Sequence, residues 1–226
     1  MSPSYRFHDR REAGRLLATE LKHLEQEDPL ILALPRGGVP VAYEIAKALH
    51  AELDLLIVRK LGAPGHNELG IGAVIDGAHP QLVLNQSARQ LGASERYIRA
   101  EMDRQLQEID RRRYMYRGNR PLPDATGRTV IIVDDGIATG GTVRAALRGL
   151  RASRPRRLVL AVPVSARDTA AQLADECDEL VCLLMPEPFH AVSAHYLDFA
   201  QTTDREVIDL LASAESFANT GAGATP

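Results

Sequence analysis

Tryptophan is absent, aromatic residues make up only 4%, and two cysteines serve all 226 residues. Cys177 and Cys182 alone can build neither a disulfide framework nor a four-thiolate zinc site, so both read as buried thiols in a reducing cytoplasm. No stretch approaches the ~18 apolar residues of a membrane span, and residues 1–10 have no apolar signal core. A formal net charge of −3 leaves no basic footprint for nucleic acid. The remaining composition, 45% hydrophobic and 25% charged, is that of a globular chain with enough length for a full core. A cytoplasmic protein without membrane or nucleic-acid partners is expected.

Strands and helices alternate along the chain. An amphipathic helix is expected over Asp9 to Glu25, capped by Asp9, then a buried strand Leu30 to Leu34, a helix Val39 to His50 and a second strand Leu53 to Val58. Shorter strands Ile71 to Ile75 and Leu82 to Leu84 precede a largely helical stretch, Ser87 to Arg117, broken near Gly92. After a Pro/Gly-rich linker come the strand Val130 to Val133, the strand Arg157 to Val164, the helix Ala166 to Glu176 and the strand Glu179 to Leu184. The helix Asp204 to Ala214 closes the order, with Phe217 to Pro226 expected as a disordered tail. This pattern predicts an α/β fold with a mainly parallel central sheet flanked by helices. One domain over 1–216 is expected, with a helical insertion at about 87–117 and a small hood at about 185–203.

The run from Thr129 to Thr142, TVIIVDDGIATGGT, concentrates the chemistry. A doubly buried strand delivers Asp134 and Asp135, and a loop of small and hydroxyl residues opens a helix carrying Val143, Ala146, Leu147 and Leu150 on one face. In open α/β sheets ligands bind at such strand ends. Gly136, Gly140 and Gly141 let backbone N–H groups converge with those of the helix N-terminus, and Thr139 and Thr142 add hydroxyls, which suits a phosphate. Adjacent carboxylates repel unless hydrogen-bond donors or positive charge intervene; vicinal ribose hydroxyls or a hydrated Mg²⁺ would serve. Alone, Asp-Asp-Gly is also an ordinary polar turn; its place between strand and Thr-Gly-Gly-Thr loop favours a ligand.

Other segments are less specific. Pro35-Arg36-Gly37-Gly38 is at least a tight turn, and should lie beside the Asp134 loop if both strands are central. Arg59 and Lys60 read either as surface charge or as the start of a breaker-rich lid running to Glu68. Residues 186–199 gather Phe189, Tyr196 and Phe199, enough to stack on a flat base or to form a small satellite core. His190 and His195 are either donors to substrate or satisfied loop histidines.

The Asp134 run resembles the phosphoribosyl pyrophosphate (PRPP) motif of type I phosphoribosyltransferases. That resemblance implies that Asp134 and Asp135 hold the ribose hydroxyls, and that Gly136, Ile137, Ala138, Thr139, Gly140, Gly141 and Thr142 wrap the 5-phosphate. It further implies that Arg36, Gly37 and Gly38, with Arg59 and Lys60, take the pyrophosphate, and that a mobile loop near Arg59 closes over the centre. The hood resembles that of purine members, which points to Phe189 and Tyr196 beside a base and to Asp198 joining Asp134 and Asp135 around Mg²⁺. Ala138 stands where 6-oxopurine members usually carry an acid, which disfavours a hypoxanthine or guanine enzyme. Beyond the motif, Phe7 to Leu211 resembles a bacterial group of predicted phosphoribosyltransferases through Leu34-Pro-Arg-Gly-Gly-Val39, Arg59-Lys-Leu-Gly-Ala-Pro64 and Phe7-x-Asp-Arg10.

The resulting expectation is a Mg²⁺-dependent enzyme moving the phosphoribosyl group of PRPP to a nitrogen acceptor, homodimeric as is common in such families. Asp134, Asp135, Arg36 and Lys60 would carry catalysis by positioning and electrostatics. Two rivals stand beside it. One is a regulator without turnover, with Arg111, Arg112, Arg113, Arg117 and Arg120 as its only candidate RNA face. The other is a ribose-phosphate hydrolase or phosphorylase.

Overall fold

The computed structural model describes residues 5–77, 80–85, 88 and 90–217. Five parallel strands form the central sheet: β1 (Leu30–Ala33), β2 (Glu52–Leu55), β6 (Thr129–Val133), β7 (Arg157–Val164) and β8 (Glu179–Leu184), in the order β2-β1-β6-β7-β8. The chain leaves β1 toward β2 on one side and returns to β6 on the other. The crevice between β1 and β6 is therefore the point where strand order reverses.

Helices α1 (Arg10–Glu20), α2 (Gly38–Leu49), α4 (Gly141–Ala152), α5 (Arg167–Ala174) and α6 (Asp204–Ala214) surround the sheet. Strand alternation divides its apolar side chains between two cores. Ile31, Ala33, Ile131, Val133, Val159 and Ala161 pack with Leu17, Ile45 and Leu211 of α1, α2 and α6. Leu30, Leu32, Val130, Ile132, Leu158 and Leu160 pack with Val143, Leu147 and Leu150 of α4. Burial on both faces explains why these strands read as unbroken apolar runs.

The expected second strand is corrected by the structure. The run Leu53 to Val58 is not one strand: β2 ends at Leu55, the buried Leu56 and Ile57 cross between sheets, and Val58 opens β3 (Val58–Ala63). That strand pairs antiparallel with β4 (His66–Ile75), which pairs with β5 (Gln81–Leu84) in a separate three-stranded sheet. A continuous apolar run could not reveal the break, because the chain stays buried while it changes sheets. Helix α3 (Glu95–Arg117) starts later than expected, at the Ser94 cap, whose hydroxyl accepts from the Tyr97 N–H; Ser87 lies outside the described residues. The first helix ends at Glu20 and continues as a 3₁₀ turn, Lys22–Glu27. Phe217 packs its ring on Tyr43, with centroids 5.2 Å apart, and the rest of the expected tail lies outside the described residues. Among those residues no helix is long and apolar enough to cross a membrane.

At its C-terminal end, α3 is tied down by Arg117, whose side chain is fully buried. Its guanidinium lies 3.2 Å from both the Asp54 carboxylate of β2 and the Asp76 carboxylate after β4, and it donates to the Leu55 carbonyl at 2.9 Å. Burial pushes both carboxyls up despite the arginine. Removing the cation would leave Asp54 without its ion-pair partner and Asp76 with only the more distant Arg113, 3.9 Å away. Arg117→Met is accordingly expected to destabilise the protein by about 3–5 kcal/mol, read as a lower urea midpoint.

Candidate functional site

Strand β6 ends with its backbone locked into the neighbouring loop. The Leu34 N–H donates to the Val133 carbonyl at 2.9 Å, so the segment after β1 crosses directly against the start of the acidic pair. Gly37 and Gly38 make that approach feasible. A Cβ on Gly38 would stand 2.6 Å from the Val133 carbonyl oxygen, and one on Gly37 would overlap the Asp135 carboxylate. The Pro35–Arg36 peptide between strand and glycines is cis. Expected pyrophosphate and ribose segments are thus brought into contact at the switch point.

Asp134 accepts the Asp135 N–H at 2.9 Å. Asp135 accepts Nε of Arg10 at 2.8 Å through Oδ2, and its carbonyl accepts the Tyr196 hydroxyl at 2.6 Å. Burial pushes Asp134 well above the usual carboxylate range, and the Asp135 charge adds to it. Asp135 is also raised by burial, with Arg10 acting against the rise. The pair is short of positive charge, and a proton, a cation or hydroxyl donors would relieve it.

The following loop is fastened at its base and open at its tip. Ile137 buries its side chain in the core; its N–H donates to the Val164 carbonyl at 2.9 Å and its carbonyl accepts from Ala166 at 3.1 Å. The Thr169 hydroxyl of α5 donates to the Ala138 carbonyl at 2.7 Å. Gly140 adopts φ +71°, and a Cβ there would strain the backbone and meet Thr169 at 2.7 Å. Ala138, Thr139 and Gly141 are exposed, Gly136 and Thr142 half-buried. No side chain caps the N-terminus of α4, whose first N–H groups are therefore left for an anion.

The expected cations separate. Arg36 points its guanidinium toward Asp204 at 3.6 Å, at the N-terminus of α6, and Asp204 also accepts the Tyr116 hydroxyl at 2.5 Å. Arg59 and Lys60 occupy successive positions of β3 and so face opposite sides of its sheet. Arg59 donates to Gln105 of α3 at 3.0 Å, whereas Lys60 is exposed in a cleft of about 290 Å³ with Gly141 and Arg144 of α4. The segment expected as a loop is instead the β3–β4 hairpin, turning at Pro64–Gly65.

Hood residues also divide. Phe189 is half-buried and stacks on His195, with centroids 5.6 Å apart, while His190 is exposed. Tyr196 is 3% exposed, packed between Phe7 and Phe199, so its ring supports the acidic pair and offers no face to a base. His195 is buried with Nε2 unpartnered, and burial lowers its pKa. Asp198 is exposed and accepts the Ala200 N–H at 2.9 Å. It does not complete a cage with Asp134 and Asp135: among the described residues no three His, Cys, Asp or Glu side chains gather around a metal position.

The basic cluster is neutralised. Arg111 and Arg112 both bind Glu108, whose pKa they hold at about 2. Arg113 pairs with Asp110, Arg117 is buried, and Arg120 pairs with Glu215. Of the candidate RNA face, Arg117 is withdrawn from the surface and the other four arginines are engaged by acids. Both cysteines are free and half-buried, and burial pushes their thiols to about 11, so they stay protonated.

Sequence reasoning gave Arg10 no role, yet its side chain is 11% exposed and fills the angle between Asp135 and the hood. Two signals were present, the first being its place in the Phe7-x-Asp-Arg10 stretch. Arginine in the first turn of a helix opposes the helix dipole, a local conflict that often marks function.

The phosphoribosyl transferase domain family matches residues 8–198. A Mycobacterium tuberculosis protein provisionally named a phosphoribosyl transferase is 45% identical over 218 residues, covering 96% of this chain and 49% of that protein. The chain thus spans about half the length of the curated relatives it matches. A crystal structure from Thermus thermophilus superposes with TM-score 0.81 at 45% identity, covering 92% of this chain and 98% of that one. A Neisseria gonorrhoeae protein solved with bound ppGpp shares the fold at TM-score 0.51 and 14% identity, covering 96% of this chain and 95% of that one. With the paired aspartates, glycine loop and crossing Arg36–Gly38 segment at one switch point, the chain belongs to the phosphoribosyl transferase domain family.

Proposed function

We propose that this protein transfers the 5-phosphoribosyl group of PRPP to a nitrogen acceptor and releases pyrophosphate. The observation that carries the reading is the contact between the Arg36–Gly38 segment and the Asp134–Asp135 pair. One molecule with a ribose flanked by two phosphate groups matches both loops at once. Asp134 and Asp135 would take the ribose hydroxyls, and residues 136–142 with the α4 N-terminus the 5-phosphate. The Arg36 guanidinium and the Gly37 backbone N–H would take the diphosphate, since the Gly38 and Val39 N–H groups already donate to the Leu34 and Arg36 carbonyls at 3.1 Å, while Lys60 lines the cleft beside Gly141 at the 5-phosphate end.

The bond from the anomeric carbon to the pyrophosphate oxygen breaks as the acceptor nitrogen bonds to that carbon; the electron pair leaves with pyrophosphate and the acceptor loses a proton. Positive groups around the diphosphate stabilise that departure. The acidic pair fits Mg²⁺, since Arg10 is its one cationic partner among the described residues and Mg²⁺ takes one or two carboxylates alongside phosphate oxygens and waters. When bound, the ion would neutralise charge on the diphosphate. Phe189 is the hood ring open enough to contact a base, and Ala138 supplies no acid for a 6-oxopurine. The expectations of a cytoplasmic location and a homodimer accompany this reading.

The test is a pyrophosphate-release screen with PRPP and Mg²⁺ over purines, pyrimidines and small amines. Release with one acceptor class supports the transferase; PRPP binding with no release under any acceptor marks a regulator, and ribose phosphate formed without acceptor marks a hydrolase. Asp134→Ala with Asp135→Ala should abolish release while circular dichroism stays unchanged. Gly37 is in ordinary right-handed helical geometry, so Gly37→Ala introduces a clash with Asp135 and no backbone strain. Its PRPP affinity is expected to fall at least about tenfold by calorimetry, the equivalent of one displaced charge-assisted hydrogen bond.

A further inference from the structure

We propose that Arg10 is a positioning residue of the ribose site, fixing the Asp135 carboxylate for hydroxyl recognition and joining it to the hood. This rests on the reading of Asp134 and Asp135 as the ribose-binding pair. Nε of Arg10 donates to Asp135 Oδ2 at 2.8 Å, Nη1 donates to the Ala200 carbonyl at 2.8 Å, and the guanidinium carbon stands 3.9 Å from the Phe199 ring centroid. Asp135 is 16% exposed at its side chain. A planar fork anchored by these two hydrogen bonds, one of them on a backbone carbonyl, has little freedom left, so the carboxylate it grips is oriented too, and the ring beside it only fills space.

The surroundings show why an arginine is needed. The Gly37 backbone stands against Oδ2, where a Cβ would overlap it, and among the described residues Arg10 is the side chain that bonds this carboxylate. With Oδ2 engaged, Oδ1 is left for a ribose hydroxyl. Arg10 itself is held by the chain before it: the Phe7 N–H donates to the His195 carbonyl at 2.9 Å, and the Leu197 and Asp198 N–H groups donate to the Phe7 and His8 carbonyls at 2.8 Å. The N-terminal segment is thus a strand-like edge of the hood, and Arg10 carries its position to the ribose site. Burying an arginine at a helix N-terminus only to staple an apolar hood would be unfavourable, because an aliphatic side chain would fill the space without the desolvation cost.

Calorimetric affinities for ribose 5-phosphate, 2-deoxyribose 5-phosphate and inorganic phosphate test the role. The wild-type protein is expected to prefer the ribose sugar about tenfold, the worth of one hydrogen bond to a charged group. Arg10→Gln should lose most of that preference while affinity for inorganic phosphate stays unchanged, and Arg10→Lys should keep part of it. In an Asp135→Asn background, Arg10→Gln should change the ratio no further, since both substitutions remove one interaction. Phe199→Leu, which removes the stacking but keeps the ion pair, should retain the preference. Preference intact in Arg10→Gln, the same loss in Phe199→Leu, or an undiminished effect of Arg10→Gln beside Asp135→Asn would overturn the proposal. If Arg10→Gln does not fold, partial preference in Arg10→Lys against full preference in Phe199→Leu decides. A wild-type protein that binds ribose 5-phosphate without preference rejects the acidic pair as the hydroxyl reader, a distinct failure.

Discussion

The contact on which the site depends is the crossing of the Arg36–Gly38 backbone over the start of the acidic pair. It forms because β1 and β6 are parallel neighbours at the point where strand order reverses, and because the Leu34 N–H locks onto the Val133 carbonyl. Two glycines let one backbone lie against another where any Cβ would intrude. Bringing these loops together is what the proposed binding of one elongated, doubly phosphorylated sugar across both requires.

Electrostatics gives that junction its demand for a ligand. Two half-buried carboxylates sit beside an anion-attracting helix terminus, with one arginine as their cationic partner among the described residues. With few donors beside Arg10 and the Asp135 N–H, such a pair is suited to the hydroxyls and cation of the proposed substrate. The Tyr196 hydroxyl and Arg10 hold Asp135 from the hood side, so shape and charge around the acidic pair are set from outside the sheet.

The Thr129–Thr142 run was legible because strand, acidic pair, glycine loop and helix are contiguous, and each part has a periodicity or composition of its own. The order of strands and helices was legible for the same reason. Arg59 and Lys60 were not: adjacent in sequence, they face opposite sides of β3, and only knowledge that residues 58–63 are a strand could separate them. Tyr196 looked like a base platform because a lone aromatic carries no mark of which neighbours enclose it; Phe7, from the far end of the chain, does so here. Arg111, Arg112, Arg113, Arg117 and Arg120 resembled a basic face because acids three or four residues away, or on other elements, are invisible as partners until the helix is placed.

Local periodicity and residues within one turn of each other were enough to read from the sequence the parallel α/β class, the central strand, the paired aspartates and the glycine loop. Only the tertiary structure decided that Asp135 is shared between Gly37, Arg10 and Tyr196, that Arg36 faces Asp204, and that the hood begins at the N-terminus. Those contacts join residues far apart in the chain. Their geometry follows from strand order and helix packing, which no short-range pattern encodes.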